Sequence, residues 1–232
     1  MKTTLSTFED DTAIFGTHSD PKIASLNLQD YVHNMKKWLQ KWKMKAKETK
    51  STHITFTLRK GQCPPVCIHQ NVIPEVETVK YLGLHFVGKL TWKEHIAMKR
   101  KQLDHKTRDT KWLIGKNSPL SLENKTPIYR TILNPIRTYG IEMWSCASKS
   151  NIAIIQRHQS EILRTTANAP WYVTNQILHT DLQIPYVSSV IHDRINKHHI
   201  ALSSHHKHPV EPMFHPEHNR RLKRRWTFDL TD

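Results

Sequence analysis

The hydrophobic pattern of this 232-residue chain changes near Leu90, and the change limits the folds that the chain can adopt. Before Leu90, β-branched and apolar residues alternate with polar ones in short runs, which is typical of half-buried strands. After Leu90, apolar residues recur every three to four positions in longer runs that end near prolines, which is typical of helices. The sequence therefore predicts an α+β fold, with a small mixed region followed by an array of helices.

Local signals place the individual elements. Residues 3–16 predict a strand, and Asp20 followed by Pro21 predicts the N-cap and first position of a helix. Thr91 and Glu94 have the spacing of a capping box, so a long helix is expected to begin there. Further strands are expected at residues 53–58, 66–69 and 79–86, and further helices at residues 122–133, 151–167, 175–183 and 187–202.

The charge of the chain indicates its class of partner. There are 35 Lys and Arg against 20 Asp and Glu, which gives a net charge of +15 and a pI near 9.8. Such a balance attracts polyanions, and nucleic acid is the first candidate. An anionic membrane surface would also suit this charge, but no apolar run approaches the roughly 20 residues that span a bilayer. With no signal peptide recognisable, an intracellular protein of the nucleus, the cytoplasm or both is expected.

Three cysteines, Cys63, Cys67 and Cys146, are too few for a disulfide framework, and their odd number fits a reducing compartment. Cys63 and Cys67 lack a matching second pair, so the pattern does not favour a zinc site.

Asp10 and Asp11 stand inside an apolar, strand-like segment that begins at Phe8. Paired carboxylates can hold Mg²⁺, which takes oxygen ligands and usually one or two carboxylates plus substrate phosphates. In phosphoryl transfer, two such ions stabilise the attacking and leaving oxygens. An isolated Asp-Asp pair is more often a helix cap or a surface turn, so this pair alone leaves both interpretations open.

The segment Phe8, Glu9, Asp10, Asp11 resembles the palm motif of reverse transcriptases, and later segments follow in the order seen in jockey-like non-LTR retrotransposons. These later matches occupy residues 17–21, 38–42, 50–57, 79–85, 90–96, 99–103, 139–141, 154–157, 169–173 and 221–225. The resemblance spans nearly the whole chain. It implies the C-terminal part of an RNA-directed DNA polymerase, which copies RNA into DNA by two-metal phosphoryl transfer when complete.

The resemblance also implies roles for individual residues. Asp10 and Asp11 would be catalytic palm carboxylates that hold Mg²⁺ or Mn²⁺. Lys50 could assist proton transfer to the leaving pyrophosphate, although a plain surface lysine is the simpler interpretation. Tyr81, Leu82 and Gly83 would form the primer grip, and the alternative is an ordinary strand with a bulge.

The same resemblance divides the chain into a partial palm with the primer grip at residues 1–88, a helical thumb-like region at 89–170, C-terminal helices at 171–203 and a basic flexible tail at 204–232. Two basic clusters would contact the nucleic-acid backbone. The first comprises Lys93, Lys99, Arg100, Lys101, Lys106, Arg108 and Lys111, and the second comprises Arg220, Arg221, Lys223, Arg224 and Arg225. The implied partners are an RNA template, a DNA primer and the N-terminal polymerase and endonuclease regions of the element.

Some positions depart from the family pattern. Glu9 replaces a small alanine, Pro127 falls inside an expected helix, and Lys47 replaces an asparagine. A further palm aspartate and the fingers lie upstream in the family, so whether this chain alone is an enzyme stays open. The alternatives are a non-catalytic nucleic-acid-binding remnant of such an element and a helical interaction module with no nucleic-acid role.

Overall fold

The structure is a computed structural model that describes residues 3–58, 63–68 and 71–204. The chain divides into two compact units, Met1–Leu90 and Thr91–Asp232. The first unit mixes strands with one long helix, and the described part of the second contains helices. This mixture of helix and antiparallel sheet agrees with the predicted α+β class.

The described strands of the first unit form three antiparallel pairs. β1 (Thr3–Phe8) pairs with β2 (Asp11–Gly16), and β3 (Cys67–Ile68) pairs with β4 (Asn71–Val72). β5 (Thr78–Tyr81) pairs with β6 (Leu84–Val87). The helix α1 (Pro21–Lys41) follows β2, and a short 3-10 turn at Glu48–Lys50 lies between α1 and β3.

The start of α1 confirms the signal in the sequence. The Asp20 side chain accepts a hydrogen bond of 2.8 Å from the Lys22 amide, and Pro21 occupies the first helical turn, where its missing N–H is not needed. Val32 of α1 packs with Val66 and Ile68 into a small apolar core. This core packs the helix against β3, and two hydrogen bonds between the Gln29 side chain and the Cys67 backbone add to it.

Three strand predictions need correction. Residues 3–16 form a hairpin rather than one strand, since Glu9 adopts a left-handed φ of 50° and the chain reverses there. Residues 79–86 also form a hairpin, because Leu82 and Gly83 have φ values of 46° and 75°, the signs that a type I′ turn requires. Residues 53–58 form only an isolated bridge from His53 to Glu75, because their remaining backbone bonds run to scattered partners such as Gly88.

The second unit contains seven α-helices in its described part. They are α2 (Lys93–Ile114), α3 (Leu122–Ile128), α4 (Asn134–Thr138), α5 (Ile141–Trp144), α6 (Lys149–Thr166), α7 (Asn175–Asp181) and α8 (Val187–Ser203). Ile114, Tyr129, Leu133, Ile162 and Leu163 are at the centre of its core, so the core joins α2 and α6 to the segment after α3. No helix in the described ranges is long and apolar enough to cross a membrane.

Two helix predictions also change. The capping box at Thr91 is absent, because Trp92 takes a left-handed φ of 58° and buries its indole, so the helix begins one residue later. The helix expected at 122–133 does not end at Pro135. A π-helical turn at Tyr129–Leu133 follows Pro127, and α4 then continues with Pro135 in its first turn, where proline is tolerated.

Candidate functional site

The two aspartates lie at the turn of the first hairpin. Glu9 and Asp10 form the turn, and Asp11 begins β2 opposite Phe8. All three acidic side chains are exposed. The hairpin therefore presents two adjacent carboxylates at its tip, with Asp11 in a regular strand position and Asp10 in the turn itself.

The Tyr81 side chain contacts β1 of this hairpin. Its phenolic oxygen lies 3.3 Å from Ser6 Oγ, a hydrogen-bond distance. Ser6 and Phe8 are two residues apart on β1 and share a face, and Asp11 is directly opposite Phe8. The Tyr81 hydroxyl is thus on the Asp11 face, about 7 Å along the strand from the pair that contains Asp11. Leu82 and Gly83 form the turn that follows Tyr81.

The donor chemistry of the hairpin tip suits a hard divalent cation, since both Asp10 and Asp11 offer carboxylate oxygens. Within residues 3–58, 63–68 and 71–204, no group of three or more His, Cys, Asp or Glu residues converges as a metal site. The two aspartates therefore fit Mg²⁺ as part of a ligand set, which substrate phosphates or other carboxylates would have to complete.

Lys50 is an exposed residue at the end of the 3-10 turn. Its backbone N–H donates to the Lys47 carbonyl oxygen over 3.1 Å. The ion pairs of the described residues do not include its side chain, and no described contact joins it to Asp10 or Asp11. The structure does not bring this lysine to the carboxylate pair.

Most of the first basic cluster lies on the outer surface of α2. Five members are exposed, namely Lys93, Lys101, Lys106, Arg108 and Lys111. At 3.6 residues per turn, Lys93, Lys101, Arg108 and Lys111 fall within one arc of the helix, and the buried Ile96 and Leu103 lie outside this arc. The arc forms a mainly cationic stripe along the helix, interrupted by Asp104.

Lys99 is the exception, and its expected surface position is wrong. Its side chain is 3% exposed, and Nζ donates hydrogen bonds of 3.0 Å to the carbonyl oxygens of Ile136 and Tyr139. Burial lowers the pKa of this ammonium from its ordinary value to about 8. The helix face that carries Lys99 is the one that packs inward, so this lysine is unavailable to a phosphate.

Arg100 is partly committed to neighbouring carboxylates. Its guanidinium lies 3.0 Å from Asp104 and 3.1 Å from Glu161. Behind it, the buried His158 places Nε2 3.3 Å from Asp104, and burial followed by the charge of Arg100 lowers the pKa of His158 to about 4. The imidazole is therefore neutral at pH 7, and its contact with Asp104 is a hydrogen bond and not an ion pair.

The sequence did not identify this network, because its members come from helices far apart in the chain. The tail residues Arg220, Arg221, Lys223, Arg224 and Arg225 lie outside the described residues.

Comparison with known proteins decides the family. The chain is 32% identical, over 229 residues and 99% of its length, to the probable RNA-directed DNA polymerase from transposon X-element of Drosophila melanogaster. It is 30% identical, over 87% of its length, to the RNA-directed DNA polymerase from mobile element jockey of the same species. The chain belongs to the RNA-directed DNA polymerases of jockey-like non-LTR retrotransposons.

A third relative, the probable RNA-directed DNA polymerase from transposon BS of Drosophila melanogaster, is 28% identical over 97% of the chain. The chain spans 25%, 22% and 25% of the lengths of these three relatives, which is about a quarter of each. No protein-family model matches the chain. No solved structure matches it either.

Proposed function

We propose that the chain is the C-terminal part of an RNA-directed DNA polymerase and that it helps to copy RNA into DNA together with the rest of that polymerase. The observation that supports this most directly is the hairpin that presents Asp10 and Asp11, with the Tyr81 hydroxyl bonded to Ser6 on the Asp11 face. In this proposal the carboxylate pair holds the metal ions and the β5–β6 hairpin positions the primer end, and such alignment of the reacting groups lowers the barrier of the reaction.

In this proposal Asp10 and Asp11 hold Mg²⁺ or Mn²⁺ at the hairpin tip. Divalent ions there would stabilise the charge that develops on the attacking and leaving oxygens. Tyr81, Leu82 and Gly83 position the primer end, and Gly83 lets the backbone come close to it because it has no Cβ. Lys50 would assist proton transfer only if its side chain reached the leaving group, and its exposed position supports a surface role equally well.

The remaining assignments follow the same scheme. Residues 1–88 act as a partial palm, residues 89–170 as a thumb-like region, residues 171–203 as C-terminal helices and residues 204–232 as a basic tail. The exposed basic residues of α2, which are Lys93, Lys101, Lys106, Arg108 and Lys111, contact the sugar-phosphate backbone of the RNA template and DNA primer. Endonuclease and N-terminal polymerase regions are the expected partners within the element.

The test joins this chain to the remaining regions of a polymerase. A chimera is made in which this chain replaces the matching quarter of the jockey polymerase, and Mg²⁺-dependent primer extension is measured. Asp10→Asn and Asp11→Asn should each lower extension at least a hundredfold, since each removes a ligand charge. Asp30→Asn, an exposed aspartate on α1, serves as the matched control and should leave activity unchanged.

A second candidate is a non-catalytic nucleic-acid-binding remnant. The exposed basic stripe of α2 favours it, because backbone binding by lysines needs no carboxylate. The same chimera separates the two candidates. Equal extension by the parent and by both aspartate variants would reject catalysis by this hairpin and would leave only the binding function.

A further inference from the structure

The end of α1 and the segment after it form a second basic surface that the proposed polymerase site does not use. Residues 36–47, here termed the lysine-tryptophan segment, contain two tryptophans and six lysines, and no Asp or Glu occurs from Tyr31 to Lys47. Trp38 and Trp42 are 54% and 61% exposed. The lysines are Lys36, Lys37, Lys41, Lys43, Lys45 and Lys47, of which all but the half-buried Lys36 are exposed.

The helix arranges these side chains in two adjacent rows. Trp38 and Trp42 are four residues apart, and their ring centroids lie 6.2 Å from each other at an interplanar angle of 49°. Lys37 and Lys41 have the same spacing, so they form a parallel row beside the indoles. Each of two successive helical turns thus carries one exposed indole and one lysine next to it.

The helix terminus is firmly defined at this point. The Met44 amide donates to the Leu39 carbonyl oxygen over 2.9 Å, and the Lys43 amide donates to that of Gln40 over 3.1 Å. This is the Schellman pattern, and Lys43 takes the left-handed position with a φ of 53°, which is usually occupied by glycine. The last turn, with Trp38 and Trp42, is therefore closed by a specific backbone motif.

Packing and helix stabilisation do not account for this composition. The apolar core of α1 is formed through Val32 with Val66 and Ile68, and it does not include either tryptophan. Attraction to the helix dipole explains a lysine in the last turn, such as Lys41, but not the lysines before and after it. None of the six lysines forms an ion pair within the described ranges. The segment thus has uncompensated positive charge next to exposed aromatic area.

We propose that the lysine-tryptophan segment binds single-stranded nucleic acid. Unpaired bases stack on Trp38 and Trp42, and the flanking lysines contact the phosphates. A duplex fits less well, because its bases already stack on each other and leave no face free for an indole. This inference rests on the proposed function, since it assumes that the chain acts on nucleic acid, and it adds a binding site separate from the carboxylate hairpin and from α2.

The test uses the 232-residue chain and a fluorescent oligothymidylate of about 16 nucleotides, a length that a single binding surface can cover. The Trp38→Leu, Trp42→Leu variant keeps apolar side chains but removes both stacking surfaces. Its affinity, measured by fluorescence anisotropy, should fall at least fivefold. Trp171→Leu is the matched control because Trp171 is 90% exposed in the other unit, and its affinity should stay at the parent value.

A second variant examines the charges without disturbing the indoles. Lys37→Gln, Lys41→Gln should make affinity less dependent on salt. The negative slope of log affinity against log salt should become smaller in magnitude by about 1.4, since each phosphate contact to a single strand contributes about 0.7. Lys116→Gln, Lys149→Gln removes the same charge from exposed positions of the second unit and should change the slope less. Circular dichroism of each variant checks that the helix content is retained.

The outcomes separate this inference from the proposed function. Unchanged affinity of the tryptophan variant, or an equal loss in Trp171→Leu, overturns the single-strand site. If the chain binds a DNA duplex while the tryptophan variant binds the oligothymidylate normally, the segment is rejected and the proposed function stands. If the chain binds neither nucleic acid, both are rejected.

Discussion

The ammonium nitrogen of Lys99 donates a hydrogen bond of 3.0 Å to the carbonyl oxygen of Tyr139 in the interior of the helical unit. The same oxygen accepts a second bond of 3.0 Å from the Trp144 indole N–H, and Lys99 also bonds to the carbonyl oxygen of Ile136. Lys99 therefore fastens α2 to the turn between α4 and α5. Burial lowers its pKa to about 8, because the charged form loses water that two carbonyl oxygens replace only in part.

This pKa predicts an unusual pH dependence. Between about pH 8 and pH 10.5 the unfolded chain keeps the Lys99 proton while the folded chain loses it, so folding stability should rise with pH across this window. The rise should be on the order of 2 kcal/mol. Lys99→Met should remove this component, as measured by denaturant unfolding at pH 7.5 and pH 10. Lys101→Met, an exposed change on the same helix, should retain the slope of the parent, and a parent-like slope in Lys99→Met would contradict the assignment.

His158 predicts a second pH window, in the acid range, in which folding stability again rises with pH. Its folded-state pKa is about 4 against 6.5 in the unfolded chain, so protonation favours unfolding as the pH falls below 6.5. The parent chain should lose about 2 kcal/mol of stability from this group between pH 6.5 and pH 5. His158→Gln should flatten the profile. His105→Gln is the control, because His105 is exposed beside Asp109, and an identical effect of both variants would exclude burial as the cause.

Sequence patterns predicted those features that depend on neighbouring residues. Asp20 and Pro21 start α1 as expected because a cap needs only its own helix turn. Thr91 failed as a cap because burial of the Trp92 indole outweighed a single local hydrogen bond. Lys99 was misplaced for a related reason. Its carbonyl partners lie 37 and 40 residues away, and no short-range pattern contains them.

In the candidate site, too, the sequence predicted the residues but not the contacts between distant segments. Its residues were found from the sequence, but the turn at Glu9 and Asp10 and the approach of Tyr81 were not. A left-handed φ at a glutamate or a leucine has no compositional signal, because glycine and asparagine are the residues that usually announce it. Family resemblance predicted Tyr81 as a site residue, which stays a prediction, and only the fold relates Tyr81 to Ser6.

The contact between Ser6 and Tyr81 predicts a measurable coupling within the first unit. A double-mutant cycle with Ser6→Ala and Tyr81→Phe should give a coupling energy of about 0.5 to 1 kcal/mol in the free energy of unfolding, the lower part of the range for one hydrogen bond because this one is exposed to solvent. Tyr172→Phe paired with Ser6→Ala is the control and should give none. Additive effects of Ser6→Ala and Tyr81→Phe would mean that the β5–β6 hairpin is not bonded to β1.

The stripe on α2 predicts how the helical unit binds a duplex. Lys101→Gln, Arg108→Gln, Lys111→Gln should weaken binding of a DNA duplex. The negative slope of log affinity against log salt should also become smaller in magnitude by about 2.7, because each phosphate contact to a duplex contributes about 0.9. Anisotropy titrations at several salt concentrations measure both effects. Lys116→Gln, Lys149→Gln, Lys197→Gln removes the same charge elsewhere in the unit and should lower the slope by less, since a general field does not depend on one helix face. Equal slopes for the two triple variants would show that the chain attracts DNA through its net charge alone and that α2 is not a specific docking face.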